Sequence, residues 1–383
     1  MRGNYKHVAL GDISIISSGG TPSRTNPRYW NGNIPWVKTA QIQNCAINEQ
    51  DVDEWITKEG LLESSAKMIP AGTILMAMYG QGKTRGRVSI LNFDASINQA
   101  CAAIELKKGV DRDYIYQFLL ASYSRIRALS NTGGQENLSA GLIKEIPLTL
   151  PPLPEQKAIA DLLSTWDVAI EQIERLIRAK EKRFKWLRIS LIRDEKEWTE
   201  VKLGVICRVT KGEQLNVAHM KADGSYYALN GGIKPSGRTD DWNTEAGIIT
   251  ISEGGNSCGY VNFNTERFWS GGHCYSLLNV KKSVDMHYLF FYLKMNEPKL
   301  MNLRVGSGLP NIQKKDVDRI KVSFPPLSEQ QQIAQALNAA QQEIDILNQM
   351  LKKYKIQKRG LMQKMLTEKW RVKQEIVNQY MEA

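Results

Sequence analysis

The sequence has few cysteines, and none of them forms a pair at redox or zinc-site spacing. The five cysteines are odd in number, and no C-x-x-C motif occurs. A disulfide framework is therefore not indicated, and unpaired thiols are typical of a reducing compartment. No apolar run approaches the roughly 18 residues that a membrane-spanning helix needs, and the first residues lack the apolar core of a signal peptide. The sequence predicts a cytoplasmic location and no membrane contact.

Histidine is also scarce, and the chemistry-bearing motifs of common enzymes are missing. The adjacent His273 and Cys274 lack a second pair at zinc-ligand spacing, so we expect no metal site. No G-x-G-x-x-G motif follows a strand, and no H-E-x-x-H motif or Asn/Asp-Pro-Pro-aromatic tetrapeptide of amino-methyltransferases is present. These absences predict a protein that has no catalytic residue and is not itself an enzyme.

One motif raises the alternative of an ATPase. The segment A-x-x-x-x-G-K-T at residues 77–84 fits a relaxed phosphate-loop pattern, with Lys83 as its lysine. A phosphate loop needs a helix directly after the Lys-Thr pair, so that the N-terminal amides face the phosphates. Residues 85–91 instead predict a turn and a strand. We therefore favour a glycine-rich hairpin whose Lys83, Arg85 and Arg87 contact a phosphate backbone.

The chain does have length, apolar residues and positive charge. Its 383 residues are 42% hydrophobic, which excludes a disordered chain and supplies cores for more than one domain. It carries 51 Lys and Arg against 40 Asp and Glu, a formal net charge of +11. A polyanionic partner such as nucleic acid is therefore plausible.

An internal repeat organises the sequence. The segment P-P-L-P-E-Q that begins at Pro151 recurs as P-P-L-S-E-Q from Pro325, a spacing of 174 residues, and the match extends upstream without a gap. Near the start of each half, a similar segment at Val8 recurs at Val201, a spacing of 193 residues. Since 193 less 174 leaves 19, the second half is 19 residues shorter in its middle. The ends of the halves match, whereas their interiors diverge.

Each P-P-L segment predicts the start of a long helix, because proline is tolerated in the first turn of a helix but not in its interior. Residues 155–192 contain neither Gly nor Pro, and their apolar residues alternate at spacings of four and three, with one interruption at Lys180. The second helix keeps this register and is interrupted at Lys358. At 1.5 Å per residue, each helix would be roughly 57 Å long. We expect the two helices to pack on each other and to act as a spacer.

The remaining sequence forms two blocks of short strands and turns, about residues 8–150 and 200–324, each of the α+β class. The predicted elements are strands at 72–78, 86–91, 247–251 and 259–263, and one helix per block at 113–129 and 286–303. The predicted domains are the first block at 1–152, the first helix at 153–193, the second block at 194–326, the second helix at 327–366, and a charged tail at 367–383 that could fray or dock near the N-terminus.

Loops rich in Gly, Asn, Gln, Ser, Arg and Lys occur at matching places in both blocks. Amide and guanidinium groups read base edges, while Lys and Arg hold phosphates. The candidate DNA contacts are Arg24, Lys38, Gln41, Lys83, Arg85, Arg87, Gln135 and Asn137 in the first block, and Asn230, Lys234, Arg238, Asn256, Arg304 and Asn311 in the second.

These features resemble the specificity subunit of a Type I restriction-modification system. The resemblance is carried by the run Y-W-N-G-N-I-P-W-V at 29–37 and by the twice-used P-P-L-x-E-Q-x-x-I-A helix entrance. It is supported by the G-R-V and G-Y-V hairpins at 86 and 259, and it covers nearly the whole chain. It implies two β-rich target recognition domains that alternate with two long helices, the helices forming an antiparallel coiled coil within a pseudo-twofold repeat.

The same resemblance implies a function and partners. Each block would read one half of a bipartite double-stranded DNA target, and the helices would set the spacer and dock two modification (methyltransferase) subunits. The chain itself would need no cofactor; modification subunits would use S-adenosylmethionine, and restriction (translocase and nuclease) subunits would use ATP and Mg²⁺. The alternatives are a non-catalytic coiled-coil scaffold whose blocks bind protein, the ATPase that uses Lys83, and the recognition part of another bifunctional restriction system.

Overall fold

The computed structural model describes residues 5–80, 82–129, 137–193, 198–306 and 310–381. By their internal contacts these residues form two units. One unit runs to Ile173 and resumes at Met350, and the other is Glu174–Gln349. Each unit therefore contains one of the predicted blocks and a part of each long helix.

The two long helices are the most regular elements. They run from Leu153 to Leu191 and from Leu327 to Met365, 39 residues each, within two residues of the bounds that their proline entrances predict. Hereafter they are called the first and second long helix. Each begins directly after the paired prolines of its P-P-L segment. The prediction of two equivalent long helices is confirmed.

Within the unit that contains the first block, the long-helix segments pack antiparallel. Trp166 and Tyr354 meet edge to face with ring centroids 5.3 Å apart, whereas Leu163, nearer the start of the first helix, shares a core with Met362, nearer the end of the second. The apolar residues at spacings of four and three form a seam along each long helix, and Lys180 and Lys358 interrupt it. Asp167 pairs with Lys358, which is almost completely buried. The polar interruption of the seam at Lys358 is therefore an interhelical ion pair.

Within the other unit the segments are antiparallel as well. Lys180 Nζ lies 2.5 Å from Glu343 Oε1, while Leu187, later in the first helix, shares a core with Ile333, earlier in the second. Both seam lysines thus find a carboxylate on the opposite helix. Opposite charges at these two levels disfavour a shifted register, because a shift would leave a charge unpaired.

Each block is built on a sheet with the same central strand order, in which neighbouring strands are antiparallel except for the short edge strand Ala46–Ile47, which pairs parallel with Val88–Leu91. In the first block the order is Ser14–Ser18, Cys101–Leu106, Ile74–Ala77, Val88–Leu91, Ala46–Ile47, and in the second it is Arg208–Lys211, Cys274–Leu278, Ile248–Ser252, Val261–Asn264. Smaller sheets complete the blocks: Trp55–Ile56, Trp30–Val37, Ala95–Ile97, Met68–Ile69 in the first, and Gly237–Thr239, Tyr226–Leu229, Phe268–Ser270 in the second. A two-stranded ribbon closes each block, Lys6–Ala9 with Pro147–Leu150 and Thr199–Lys202 with Lys321–Phe324.

The helices of each block are short. They are Leu10–Ile13, Pro27–Tyr29, Thr39–Gln41, Glu49–Asp51, Lys58–Leu62, Arg112–Ala121, Tyr123–Leu129 and Ala140–Lys144 in the first block, and Leu203–Ile206, Val217–His219, Gly255–Ser257, Met286–Met295, Glu297–Met301 and Lys314–Asp318 in the second. The predicted single helices at 113–129 and 286–303 are wrong in one respect, because each is two helices. The first breaks at Ser122, a residue type that favours helix ends. The second breaks at Asn296, before Pro298 in the first turn of the next helix.

One glutamine joins each long helix to the block before it. Gln156 lies in the first turn of the first long helix, where its Oε1 accepts a hydrogen bond from the Asp111 amide and its Nε2 donates to the Pro151 carbonyl, both at 2.8 Å. Asp111 itself caps the helix that begins at Arg112. The Tyr114 hydroxyl then donates to the Thr149 carbonyl at 2.7 Å. The buried amide of Gln156 thus fixes one helix start against another.

The second half repeats every bond of this glutamine clamp. Gln330 Oε1 accepts from the Asp285 amide, and its Nε2 donates to the Pro325 carbonyl, again at 2.8 Å. The Tyr288 hydroxyl donates to the Ser323 carbonyl at 2.9 Å. The repeated sequence P-P-L-x-E-Q therefore encodes a repeated structural joint, and its glutamine is needed for structure.

The glutamate of the motif differs between the halves. Glu155 is almost completely buried and receives the guanidinium of Arg371, from the C-terminal tail, at 2.5 Å. It also accepts a hydrogen bond from the Tyr5 hydroxyl at 2.8 Å, whereas Glu329 is exposed. The tail continues into a helix at Gln374–Gln379 and docks beside the first strand of its own unit. In the described part of the chain, no helix is long and apolar enough to cross a membrane.

The glutamine clamp leads to a prediction on local stability. Gln156→Ala should lower amide hydrogen-exchange protection at the start of helix Arg112–Ala121 by about 1–3 kcal/mol, because it leaves a buried amide and a carbonyl without partners. Gln330→Ala should do the same for helix Met286–Met295. Glu329→Ala, which alters an exposed side chain, should change protection by less than about 0.5 kcal/mol. Equal effects of all three substitutions would contradict a structural role for the glutamines.

Candidate nucleic-acid interface

The predicted glycine-rich hairpin of the first block joins two buried strands, Ile74–Ala77 and Val88–Leu91, which pair antiparallel. Turns and then the second strand follow Lys83, as the sequence predicts. Because no helix begins there, the amides that would hold nucleotide phosphates are not presented. The hairpin geometry therefore argues against the ATPase alternative.

The hairpin brings three predicted cations together and adds a fourth. Lys83 is exposed in the turn, and its carbonyl accepts a hydrogen bond from the Tyr123 hydroxyl at 2.6 Å. Arg127, four residues further along the same helix, donates to that hydroxyl at 3.0 Å. Arg87 bonds through a guanidinium nitrogen to the Gln43 side chain. In the part of the chain that the structure describes, Arg85 Nε is buried without a hydrogen-bond partner. This group, Lys83, Arg85, Arg87 and Arg127, is hereafter the basic hairpin cluster.

A glycine makes the cluster possible. Gly86 lies between the two arginines with a φ of 81°, and a Cβ there would lie 3.2 Å from Cγ of Arg127. Any larger residue would strain the left-handed backbone and crowd the Arg127 side chain. Arg127 was not among the residues predicted from sequence. Its only sequence signal is the spacing of four from Tyr123, which places both side chains on one helix face.

Three other predicted contacts of the first block converge on an acidic pair. The Arg24 guanidinium lies 2.5 Å from Glu54, and Lys38 Nζ lies 2.5 Å from Glu54 and 3.1 Å from Asp53. Gln41 Nε2 donates to Asp53 at 2.7 Å. The hydrogen bond from Lys38 lowers the pKa of Asp53, and the hydrogen bond to Glu54 raises the pKa of Lys38. These side chains therefore have internal partners that a phosphate contact would have to displace.

The last two candidates of the first block lie near residue 136. Gln135 falls outside the described residues. Asn137 is exposed, and the next residue, Leu138, donates its amide to the carbonyl of Met78, at the base of the hairpin. The backbone next to Asn137 is thus held at the base of the hairpin.

The second block repeats the hairpin with the same backbone bonds. The Ala77 amide donates to the Arg87 carbonyl in the first block, and the Ser252 amide donates to the Tyr260 carbonyl in the second, each at 2.9 Å. The second hairpin glycine has a φ of 87° and packs against the equivalent helix. These bonds and glycine contacts match each residue of the first block with one of the second. The pairs are Gly86 with Gly259, Arg85 with Cys258, Arg87 with Tyr260, Arg127 with Met301, and Met78 with Glu253.

This correspondence separates the two blocks chemically. At the three hairpin-cluster positions that can be matched, the first block has arginine and the second has Cys258, Tyr260 and Met301. The same backbone frame therefore presents positive charge in one block and uncharged side chains in the other. The hydrogen bonds that join the two strands at the base of each hairpin are the same, so the matched positions differ in their side chains and not in this part of the backbone.

Four of the six second-block candidates lie around the second hairpin. Asn256 is exposed in its turn. Asn311 forms a bridge with Gly254, at the base of the turn, and another with Val305, which follows Arg304. Asn230 accepts a hydrogen bond from the His273 amide at 3.2 Å, and the amide of Glu253, next to Gly254, donates to the His273 carbonyl. The structure thus links these four residues through a short series of backbone contacts and one hydrogen bond to the Asn230 side chain.

The remaining two candidates lie in another sheet. Lys234 is exposed in the loop that precedes strand Gly237–Thr239. Arg238, on that strand, donates to the carbonyls of Gly224 and Ser225 at 2.6 and 2.9 Å. The guanidinium of Arg238 is therefore part of the local fold. Its predicted DNA contact would have to use N–H groups that do not bind these two carbonyls.

Sequence reasoning missed a polar network at the base of the second hairpin. Glu253 accepts from Lys211 Nζ at 2.5 Å and from the Tyr275 hydroxyl at 3.0 Å, and its other oxygen lies 3.3 Å from His273 Nδ1. Burial alone would raise the pKa of Glu253, but the hydrogen bonds from Lys211 and Tyr275 outweigh it and hold that pKa below its usual range. The only signal in the sequence would have been polar residues in one half aligned with apolar residues in the other.

Two further chemical possibilities find no support in the geometry. Residues 255–259 have the letters G-x-S-x-G of a serine-hydrolase elbow, but Ser257 lies in a short turn between antiparallel strands and not between a strand and a helix. Among the described residues, no group of three or more His, Cys, Asp or Glu side chains could hold a metal ion.

Comparison with known proteins gives one family. The family model described as Type I restriction modification DNA specificity domain matches residues 3–181 and again 195–355. The specificity subunit of a Type I restriction enzyme from Escherichia coli is 27% identical over 194 residues, 49% of this chain and 48% of that protein. A Type I restriction enzyme specificity subunit from Methanocaldococcus jannaschii is 30% identical over 164 residues, 42% of this chain and 37% of that protein. The chain thus matches less than half the length of each of these relatives.

Solved structures extend the likeness of fold over nearly the whole chain. The crystal structure of a Type I restriction-modification S subunit from M. genitalium superposes with a TM-score of 0.68 at 18% identity, covering 95% of this chain and 96% of that one. A chain from a structure on assembly and conformational transition of the Type I restriction-modification system has a TM-score of 0.58 at 15% identity, covering 96% and 98%. The predicted α+β repeat is thereby confirmed at the level of fold.

Proposed function

We propose, because the chain belongs to the Type I restriction modification DNA specificity family, that it is a sequence-specific DNA-binding subunit without catalytic activity of its own. Each block would read one half of a bipartite double-stranded DNA target. The two long helices would set the distance between the half-sites.

The single observation that carries this proposal is a repeated frame with divergent surfaces. Both halves share the glutamine clamp and the hairpin backbone, yet the first hairpin carries arginines where the second carries Cys258, Tyr260 and Met301. A duplicated catalytic or scaffold unit would have no need to vary the side chains around this hairpin. Two domains that recognise different DNA sequences do need this variation, because base recognition depends on the donors and acceptors that each loop presents.

The proposal includes partners that supply the chemistry. Modification subunits would bring S-adenosylmethionine and methylate adenine, and restriction subunits would use ATP and Mg²⁺. The long helices, whose outer faces carry exposed apolar side chains such as Val168 and Trp186, are the proposed docking elements for two modification subunits. We also propose a cytoplasmic location, which the five free cysteines support because thiols stay unpaired in a reducing compartment.

The proposal predicts the methylation pattern of cells. Single-molecule sequencing of cells that carry this gene and its modification partner should show N6-methyladenine at one split motif, and deletion of this chain should remove it. An unchanged pattern, with every partner expressed, would favour the alternative of a protein-binding scaffold.

The basic hairpin cluster predicts a change in salt dependence. Arg85→Ala with Arg87→Ala should weaken duplex DNA binding and reduce the slope of log affinity against log salt by about 1.8, since each phosphate contact contributes about 0.9. Fluorescence anisotropy of the complex with modification subunits measures this slope. Arg85→Lys with Arg87→Lys should largely retain the slope, because both positive charges remain.

The matched control changes cations of the same block outside the cluster. Lys108→Ala with Lys144→Ala removes two exposed positive charges and leaves the hairpin intact. This variant should keep nearly the full slope. If the two double variants behave alike, overall charge explains binding and the cluster has no special role.

The long helices predict a dependence of the spacer on helix length. Lys180 and Glu343 face each other across the two helices, so residues 174–180 and 343–349 can be deleted together. This shortens each helix by roughly 10 Å at 1.5 Å per residue, which corresponds to about three base pairs at 3.4 Å each. Methylation sequencing should show a spacer that is shorter by about this amount, or no recognition.

The control replaces the same 14 residues by two other heptads of equal length and apolar pattern, and it should keep the original spacer. Retention of the original spacer by the deletion variant would contradict a role of the helices in spacing.

A further inference from the structure

The polar network around Glu253 is a feature of the second block alone. The strand register places Lys211, Tyr275 and His273 where the first block has Ser18, Ala102 and Ala100. Glu253 itself stands where the first block buries Met78, since both residues donate an amide to the equivalent carbonyl. One half of the repeat therefore replaces a largely apolar corner by four polar side chains.

Burying a carboxylate costs free energy unless its oxygens are paired. Here Lys211 and Tyr275 occupy one oxygen of Glu253, and the other oxygen faces His273. The first block forms the same backbone bond with a buried methionine at this position, so the strand pairing itself does not require the network. The presence of the polar network therefore indicates a function at the protein surface, where the network ends.

The network ends at the imidazole of His273. Because Glu253 is ionised, its oxygens can only accept, so His273 Nδ1 must carry the hydrogen that it shares with Oε2 at 3.3 Å. In the neutral ring, Nε2 is then an acceptor. The His273 side chain is 57% exposed, whereas that of Glu253 is 10% exposed. A buried carboxylate thus fixes the tautomer of a ring that reaches solvent.

His273 lies among the amides that were predicted to read the second half-site. Its backbone amide donates to Asn230 Oδ1 at 3.2 Å. Glu253 directly precedes the turn that bears Asn256, and its carbonyl accepts from the Ile312 amide, next to Asn311. The ring nitrogen therefore belongs to the same loop cluster as three exposed or half-exposed amide side chains.

We infer that His273 is a specificity-determining residue of the second block, which accepts a hydrogen bond at Nε2 from the exocyclic amino group of a base, and that Glu253 is the positioning residue that holds its tautomer. The inference rests on the proposed function and deepens it. In the major groove only adenine N6 and cytosine N4 present such an amino donor. His273 was not predicted from sequence, because a lone histidine carries no such signal.

The test uses the complete complex with its modification subunits and a DNA library randomised at the second half-site. Sequencing of the methylated products gives the base preference at each position. His273→Ala and His273→Phe, the latter keeping a ring without nitrogen, should both reduce the preference for adenine or cytosine at one position by about five- to tenfold, the discrimination expected of one hydrogen bond. Glu253→Gln should weaken the same position, because the amide no longer dictates which nitrogen carries the hydrogen.

His219→Ala is the matched control, since it removes an exposed histidine of the same block that lies outside the network. It should leave every position unchanged, and all variants should keep the first half-site. Whether the complex loses a preference for adenine or for cytosine at this position identifies the base that His273 contacts.

Other outcomes overturn the inference. A preference that is unchanged in His273→Ala and His273→Phe would exclude base reading by this ring. A uniform loss over all second half-site sequences, with a reduced salt slope, would identify a phosphate contact instead. A wild-type complex that shows no split motif would overturn the proposed function itself, and the inference with it.

Discussion

The repeated structure depends on one buried amide in each half. Gln156 and Gln330 each bond a helix N-terminus on one side and a proline carbonyl on the other. A side-chain amide has both a donor and an acceptor, so it can satisfy two backbone groups that would otherwise be buried without partners. The clamp therefore couples the direction of each long helix to the block that precedes it, and the rest of the repeat follows from this joint.

Because the two blocks share the hairpin backbone, their loop side chains can differ. The hairpin bonds are the same in both blocks, and the glycines at 86 and 259 keep a positive φ in both. On this frame the first block has arginines on both sides of Gly86, which packs against Arg127 of the next helix, while the second builds a carboxylate network from Glu253 to His273. The two surfaces suit different contacts, charge for phosphates in one and oriented hydrogen-bond groups for base edges in the other.

The halves also differ in how their ends are held. The buried Glu155 binds Arg371 of the C-terminal tail and Tyr5 of the N-terminal segment, whereas its counterpart Glu329 is exposed. The long helices differ likewise, since the position of Lys180, which pairs with Glu343, corresponds to Tyr354, and that of Lys358, which pairs with Asp167, corresponds to Phe184. Equivalent positions thus carry unequal electrostatic partners, which disfavours exchange of one helix segment for the other.

The repeat could be read from the recurrence of its motifs, and the two long helices and the turn and strand after Lys83 could be predicted from sequence because periodicity, proline position and glycine act within a few residues. The sequence also indicated the loops that surround each hairpin, since loops of similar composition occur at matching places in both blocks. The side-chain partners, in contrast, depend on the tertiary structure. It tied Arg24 and Lys38 to Glu54 and Asp53, brought Arg127 to the basic hairpin cluster, and joined Lys211, Glu253 and His273. Each of these contacts links residues from different segments, and sequence spacing carries no record of which side chains the folded backbone brings within hydrogen-bond distance.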